Sequence, residues 1–159
     1  MKVLKFGGTS VGSVESILNV KKIVEAQTEP VIVVVSALGG ITDCLIGTAH
    51  KAVAGDMGYQ GDFAEMAQRH YDMIATVVDA GHRQESVRLE VQALLEELRS
   101  IYQGVYLIRD LSPKTLDTIV SYGESISSRI VACMVRGAEW YDSSAFIKTE
   151  LKGGKRVLT

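Results

Sequence analysis

Apolar residues along this chain change period in a way that lays out alternating strands and helices. Val3 to Phe6 reads as a short strand stopped by Gly7-Gly8. From Val14 to Ala26, the residues Val14, Ile17, Leu18, Ile23 and Val24 fall mostly on one helical face. Pro30 then opens Val31-Ile32-Val33-Val34-Val35, an unbroken β-branched run that predicts a strand buried on both faces, as in a parallel sheet covered by helices. Ser36 to Gly40 forms the next turn, and Thr42 or Asp43 is placed to cap a helix running to about Ala54. Strand, glycine turn and helix, given twice, is the βαβ pattern, with a right-handed crossover expected.

Beyond a turn-rich stretch from Gly55 to Gly61, the period stays helical. Phe63, Met66, Ala67, His70, Ile74, Val77 and Val78 keep steps of three and four, and Gly81 ends that helix. Val87, Val91, Leu94, Leu95, Leu98, Ile101 and Tyr102 line a second one. The pair predicts a helical hairpin, over about residues 56–110, inserted between the sheet-forming halves. Ser112-Pro113 is a helix start, with Ser as cap and Pro in the first turn. Gly123 is expected to interrupt that helix, which resumes through Ile126, Ile130, Val131 and Met134 and stops at Gly137. Trp140-Tyr141 and Phe146-Ile147 are short strand candidates, and Lys152-Gly153-Gly154-Lys155 is a turn of hairpin type. The fold class expected is α/β: three layers, a mainly parallel sheet flanked by helices, with the hairpin inserted.

Composition narrows the function classes. Over 159 residues the net charge is −2, and the basic residues are scattered, which removes the electrostatic footprint of a nucleic-acid binder. Apolar runs such as Val31–Val35 fall far short of the ~18–20 residues that span a bilayer, so no membrane partner is expected. Met1-Lys2-Val3-Leu4-Lys5 carries no export signal, and Cys44 and Cys133 read as two buried thiols in a reducing compartment. A cytoplasmic protein is expected. No metal site is read: His50, His70 and His82 share no ligand spacing and are taken as structural.

Three segments carry candidate chemistry. Lys5-Phe6-Gly7-Gly8-Thr9-Ser10 brings a lysine off a strand into two glycines and two hydroxyls ahead of a helix. Free amides of such a turn favour a phosphate, and the ammonium suits phosphoryl oxygens. It is no P-loop, since Ser13 and Val14 follow Gly12 where Lys and Ser/Thr are needed, and no G-x-G-x-x-G occurs. A plain tight turn with a snorkelling lysine accounts for the same letters. Ser36 to Asp43 repeats the theme, and neighbouring parallel strands would set both turns on one sheet edge, where α/β proteins bind ligands. Ser121-Tyr122-Gly123-Glu124-Ser125 offers a carboxylate for an ammonium group, or simply an exposed helix glutamate.

Taken together, in this order, these segments resemble the amino-terminal part of the aspartokinases, in the amino-acid kinase superfamily. Lys5 to Ser10 resembles the family's opening signature, Val35-Ser36-Ala37 through Gly40-Ile41-Thr42-Asp43 its second, and Ser121-Tyr122-Gly123-Glu124 its Gly-Glu motif. Asp142 through Thr149 resembles the stretch that follows, and the hairpin looks most like the branch fused to homoserine dehydrogenase. The resemblance implies transfer of the ATP γ-phosphoryl group to the β-carboxylate of L-aspartate, the first step towards lysine, threonine and methionine. It implies that Lys5 is the catalytic contact to the phosphoryl group, that Lys5, Phe6, Gly7, Gly8, Thr9 and Ser10 bind ATP, and that Mg²⁺ arrives with the nucleotide. Ser36, Ala37, Thr42 and Glu124 would bind aspartate.

The family's later glycine-rich segment and its adenine-binding half have no counterpart here. Residues 1–159 are therefore expected to be the N-terminal part of a kinase domain, with little or no turnover alone. An uncovered sheet is expected to drive homo-oligomer formation, with exchange of elements in the fragment. Two other readings stand beside this one: a superfamily kinase acting on acetylglutamate, carbamate or UMP, and a non-catalytic anion-binding or interaction module.

Overall fold

The two apolar strands find each other as the βαβ pattern predicts. In the computed structural model, which describes residues 1–159, β1 (Lys2–Phe6) and β2 (Val31–Val35) pair in parallel from Lys2↔Val31 to Phe6↔Val35. Between them runs α1 (Val14–Glu25), opened by a capping box in which the Ser13 hydroxyl accepts from the Ser16 amide at 3.1 Å. Then follow α2 (Ile41–Val53), α3 (Tyr59–Val77), α4 (His82–Ile108) and α5 (Pro113–Met134). A single 3₁₀ turn (Ser143–Ala145) leads to an antiparallel hairpin of β3 (Thr149–Lys152) and β4 (Lys155–Leu158).

The expected α/β class stands, with helices packed on the inner face of the β1–β2 sheet. Leu4, Phe6, Val31, Val33 and Val35 point into the core. The β-branched run is not covered on both sides, however. Ile32 and Val34 are 48% and 45% exposed, and Val3 is 65% exposed beside them. Continuous apolar sequence marks a strand made to be covered twice, and these residues supply one cover.

The helical hairpin is a structural partner rather than an appendage. α3 and α4 both pack on α2, and α5 packs on α2 and α4, so one cluster of 29 buried side chains unites all five helices. Its centre includes Ile17, Leu45, Leu98, Tyr102 and Ile126. Tyr102 is wholly buried and its hydroxyl donates to the Leu45 carbonyl at 2.9 Å, which locks α4 onto α2. No helix is long and apolar enough to cross a membrane.

Four local expectations need correction. Neither Thr42 nor Asp43 caps α2: the cap is Gly40, left-handed at φ 81°, and no side chain bonds the first-turn amides. Gly123 does not break α5, which runs through it unbroken. Trp140-Tyr141 and Phe146-Ile147 are not strands; Asp142 caps the 3₁₀ turn by accepting from the Ser144 amide at 2.9 Å, and the strands lie further on, around Gly153-Gly154. Cys44 and Cys133 are free thiols but only half-buried.

His70 on α3 is wholly buried, and its pKa is pushed down from 6.5 to about 4, chiefly by desolvation. Nδ1–H donates to the Met66 carbonyl at 2.8 Å, which leaves Nε2 unprotonated and without a partner. The unfolded chain binds a proton near pH 6.5 that the folded chain refuses until about pH 4. Stability is therefore full above pH 6.5 and falls as the pH drops towards 4. Urea unfolding at pH 7 and pH 4.5 should show wild type losing roughly 2–3 kcal/mol more than a His70→Phe variant. Equal losses would mean that the ring protonates freely in the folded state.

Candidate functional site

Parallel strands end together, so the turns after β1 and β2 emerge at one edge of the sheet. Pairing continues one step past the ladder, where the Ser36 amide donates to the Phe6 carbonyl at 3.0 Å. The turns then touch. The Gly39 amide donates to the Val11 carbonyl at 3.3 Å, and a Cβ on Gly39 would stand 2.8 Å from the Gly12 Cα and 3.0 Å from the Gly8 carbonyl oxygen. Backbone this close leaves room only for hydrogen on Gly39.

The third segment joins them from α5. A Cβ on Gly123 would lie 2.8 Å from the Ala37 Cβ and 3.3 Å from Leu45 Cδ1, so the missing side chain lets the helix seat on the second turn. The buried Ser127 hydroxyl, one helical turn on, donates to the Ser36 carbonyl at 2.7 Å. Segments that lie ~30 and ~90 residues apart in sequence are thus held by direct contact, and Glu124 follows the contact glycine on an exposed position of α5.

Within the first turn, the amides of Gly7, Gly8 and Thr9 donate to no group of the chain, while the Ser10 amide closes back to the Gly7 carbonyl at 3.0 Å. Gly7 and Gly8 do not have left-handed backbones. A Cβ on Gly7 would meet no atom within 4 Å, and one on Gly8 only atoms at 4.0 Å. Neither conformation nor internal packing demands glycine at Gly7. Three adjacent N–H donors beside an open surface are thus left unspent, the kind of group an anion-binding turn uses.

Lys5, one residue before the end of β1, is exposed and makes no ion pair. It shares the outer sheet face with Val3 and, through its register partner Val34, with β2. Its ammonium is uncommitted. Two other sequence candidates are held inward: the Phe6 ring packs against the core, and the Ala37 side chain is buried under Gly123. Only their backbones remain for a ligand. Thr42 sits half-buried in the first turn of α2, whose leading amides have no side-chain cap.

One residue at this rim went unnoticed in the sequence. Arg69, half-buried on α3, donates from Nη2 to the Gly12 carbonyl at 3.3 Å. A bond to backbone 57 residues away leaves no local spacing to read.

The amino acid kinase family model matches residues 1–149. The chain is 33% identical over 131 residues to aspartokinase 1, chloroplastic, of Arabidopsis thaliana, covering 82% of this chain and 22% of that protein. It is 28% identical over 160 residues to the chloroplastic bifunctional aspartokinase/homoserine dehydrogenase of Daucus carota, covering 96% and 17%. Among solved structures, E. coli aspartokinase III in complex with aspartate and ADP superposes with a TM-score of 0.80 at 25% identity, over 100% of this chain and 35% of that one. The chain therefore spans about a fifth of the length of the curated relatives it matches.

Proposed function

Since this chain belongs to the amino acid kinase family, we propose that its glycine rim is the phosphoryl- and substrate-binding part of an aspartate kinase. The observation that carries this is the cradle of free Gly7, Gly8 and Thr9 amides beside an uncommitted Lys5. Phosphoryl transfer needs positioning and neutralisation of spread-out negative charge rather than a protein nucleophile, and fixed donors of this kind supply both.

On this reading Lys5 holds the transferring phosphoryl group, and the turn from Phe6 to Ser10 binds the nucleotide phosphates through backbone. Ser36, the Ala37 backbone and Thr42 orient L-aspartate, with Glu124 accepting from its α-ammonium. ATP would supply the phosphoryl group, and Mg²⁺ bound with it would neutralise part of the phosphate charge. Residues 1–159 form the N-terminal part of the kinase domain, including the hairpin over about 56–110, and the adenine-binding half lies outside them. The exposed outer face of Val3, Ile32 and Val34 supports association with further chain or a second copy. The free Cys44 and Cys133 suit a reducing, cytoplasm-like compartment.

Thr42 and Glu124 together offer partners for a carboxylate and an ammonium, which favours a free amino acid over acetylglutamate, carbamate or UMP. In the complete protein, ATP turnover should depend on L-aspartate and be at least about 100-fold lower with each alternative, a gap of roughly 3 kcal/mol. Turnover with acetylglutamate or UMP instead would move the protein elsewhere in the family. Inorganic phosphate binding without any phosphoryl acceptor would favour a non-catalytic module.

A further inference from the structure

Arg69 reaches the glycine rim from outside it. It stands on α3 between the buried Met66 and Met73, with Glu65 one turn before it and Asp72 one turn after. An arginine so flanked would be expected to pair along its own helix surface. It forms no ion pair with either. Its guanidinium crosses instead to the first turn, where Nη2 donates to the Gly12 carbonyl. On the other side Nη1 lies 3.8 Å from the point where a Cβ of Gly40 would stand.

The backbone it bonds and the backbone it lies beside have different tasks in the reading above. Gly12 closes the loop whose amides face the phosphates. Gly40 is the left-handed cap from which α2 and Thr42 begin. A planar guanidinium can bond the one and fill the space beside the other, a shape that a lysine does not reproduce. Holding so long a side chain in one rotamer is entropically costly, and a charge-assisted bond to a carbonyl offsets that cost.

Resting on the kinase reading, we propose that Arg69 is a positioning residue, a clamp from the helical hairpin that fixes the separation between the phosphoryl-binding loop and the substrate-binding turn. It touches neither substrate. Its effect is on alignment, and a misplacement of about 1 Å between reacting groups is worth roughly 100-fold in rate.

The test compares Arg69→Met, Arg69→Lys and Lys5→Ala in the complete protein, with kcat referred to the fraction of enzyme that titrates with ADP. Arg69→Met should lower kcat about 30-fold while both KM values stay within about threefold, and Arg69→Lys should recover part of the loss. A purely structural role would reduce the titratable fraction and leave kcat per site unchanged. If Lys5→Ala abolishes turnover and Arg69→Met keeps kcat within twofold, the clamp is wrong and the kinase reading survives. If Lys5→Ala retains turnover, only the assignment of Lys5 falls; if the unaltered protein shows no aspartate-dependent turnover, the kinase reading itself fails. A second measurement needs no turnover: hydrogen exchange in the complete protein. Arg69→Met should speed exchange at Gly12 and at Gly40 to Asp43 together, with α4 protection unchanged. Unaltered exchange at both turns would overturn the clamp.

Discussion

Lys5→Ala is expected to reduce phosphoryl transfer by about a thousandfold or more while leaving the fold in place. The two halves of that statement come from different facts. The side chain is exposed and pairs with nothing, so its loss should change stability by no more than about 0.5 kcal/mol. Its strand does not depend on it, because register is held by the backbone ladder and by inward Leu4 and Phe6. Its position, two residues before the first of the free amides, would on the proposed reading set a positive charge against a phosphoryl group entering the turn. Removing one preorganised donor from a developing charge costs about 100- to 1,000-fold, and a full cation at a transferring phosphoryl up to about 10⁵-fold. Lys5→Arg should restore little, since a planar fork does not reproduce the compact charge of an ammonium. Turnover and thermal melting of the variants in the complete protein decide the matter. An active Lys5→Ala enzyme, or an inactive one whose midpoint has fallen by many degrees, would remove Lys5 from the chemistry.

How far the sequence alone leads can be traced residue by residue. β1, α1 and β2 stand within a residue or two of where periodicity puts them, because each boundary is marked by glycine, proline or a capping serine. The Ser112 cap of α5 is equally local: its hydroxyl accepts from the Thr115 amide at 3.1 Å. Readings that needed a distant partner fared worse. Trp140-Tyr141 and Phe146-Ile147 have strand-like composition but no neighbouring strand to pair with. Gly123 looks like a helix breaker in one dimension and proves to be a contact point in three, fitted to Ala37. Thr42 has the right letter for a cap, yet the chain turns through Gly40 instead, one of the few residues able to take φ 81°. Of the candidate site, the glycines and Lys5 were legible because backbone approach has a composition signature. Arg69 was not, since what it recognises is a carbonyl, and carbonyls are identical in every residue.

The same rim separates glycines that hold the fold from glycines that serve a ligand, and substitution should split them cleanly. Gly39→Ala would drive a methyl group against two backbones, the Gly12 Cα at 2.8 Å and the Gly8 carbonyl oxygen at 3.0 Å. Neither can retreat as a side chain does. Relief requires the turns to part, which also strains the Gly39 amide bond to the Val11 carbonyl. Overpacking of this kind costs about 1–3 kcal/mol and a lost backbone bond about 1 more, so a fall of roughly 2–4 kcal/mol is expected. For a chain of this size that is a drop of about 5–15 °C in midpoint, with phosphoryl transfer lost as the turns separate. Gly7→Ala is the counterpart. Its added methyl meets nothing within 4 Å, and its backbone is not left-handed, so the midpoint should move by less than about 2 °C. The methyl would nevertheless occupy the side from which phosphate oxygens approach, and nucleotide affinity should fall at least tenfold, about 1.4 kcal/mol. Unchanged affinity in a folded Gly7→Ala protein would leave that glycine without a physical reason, and with it the strongest sign that the first turn is built around an anion.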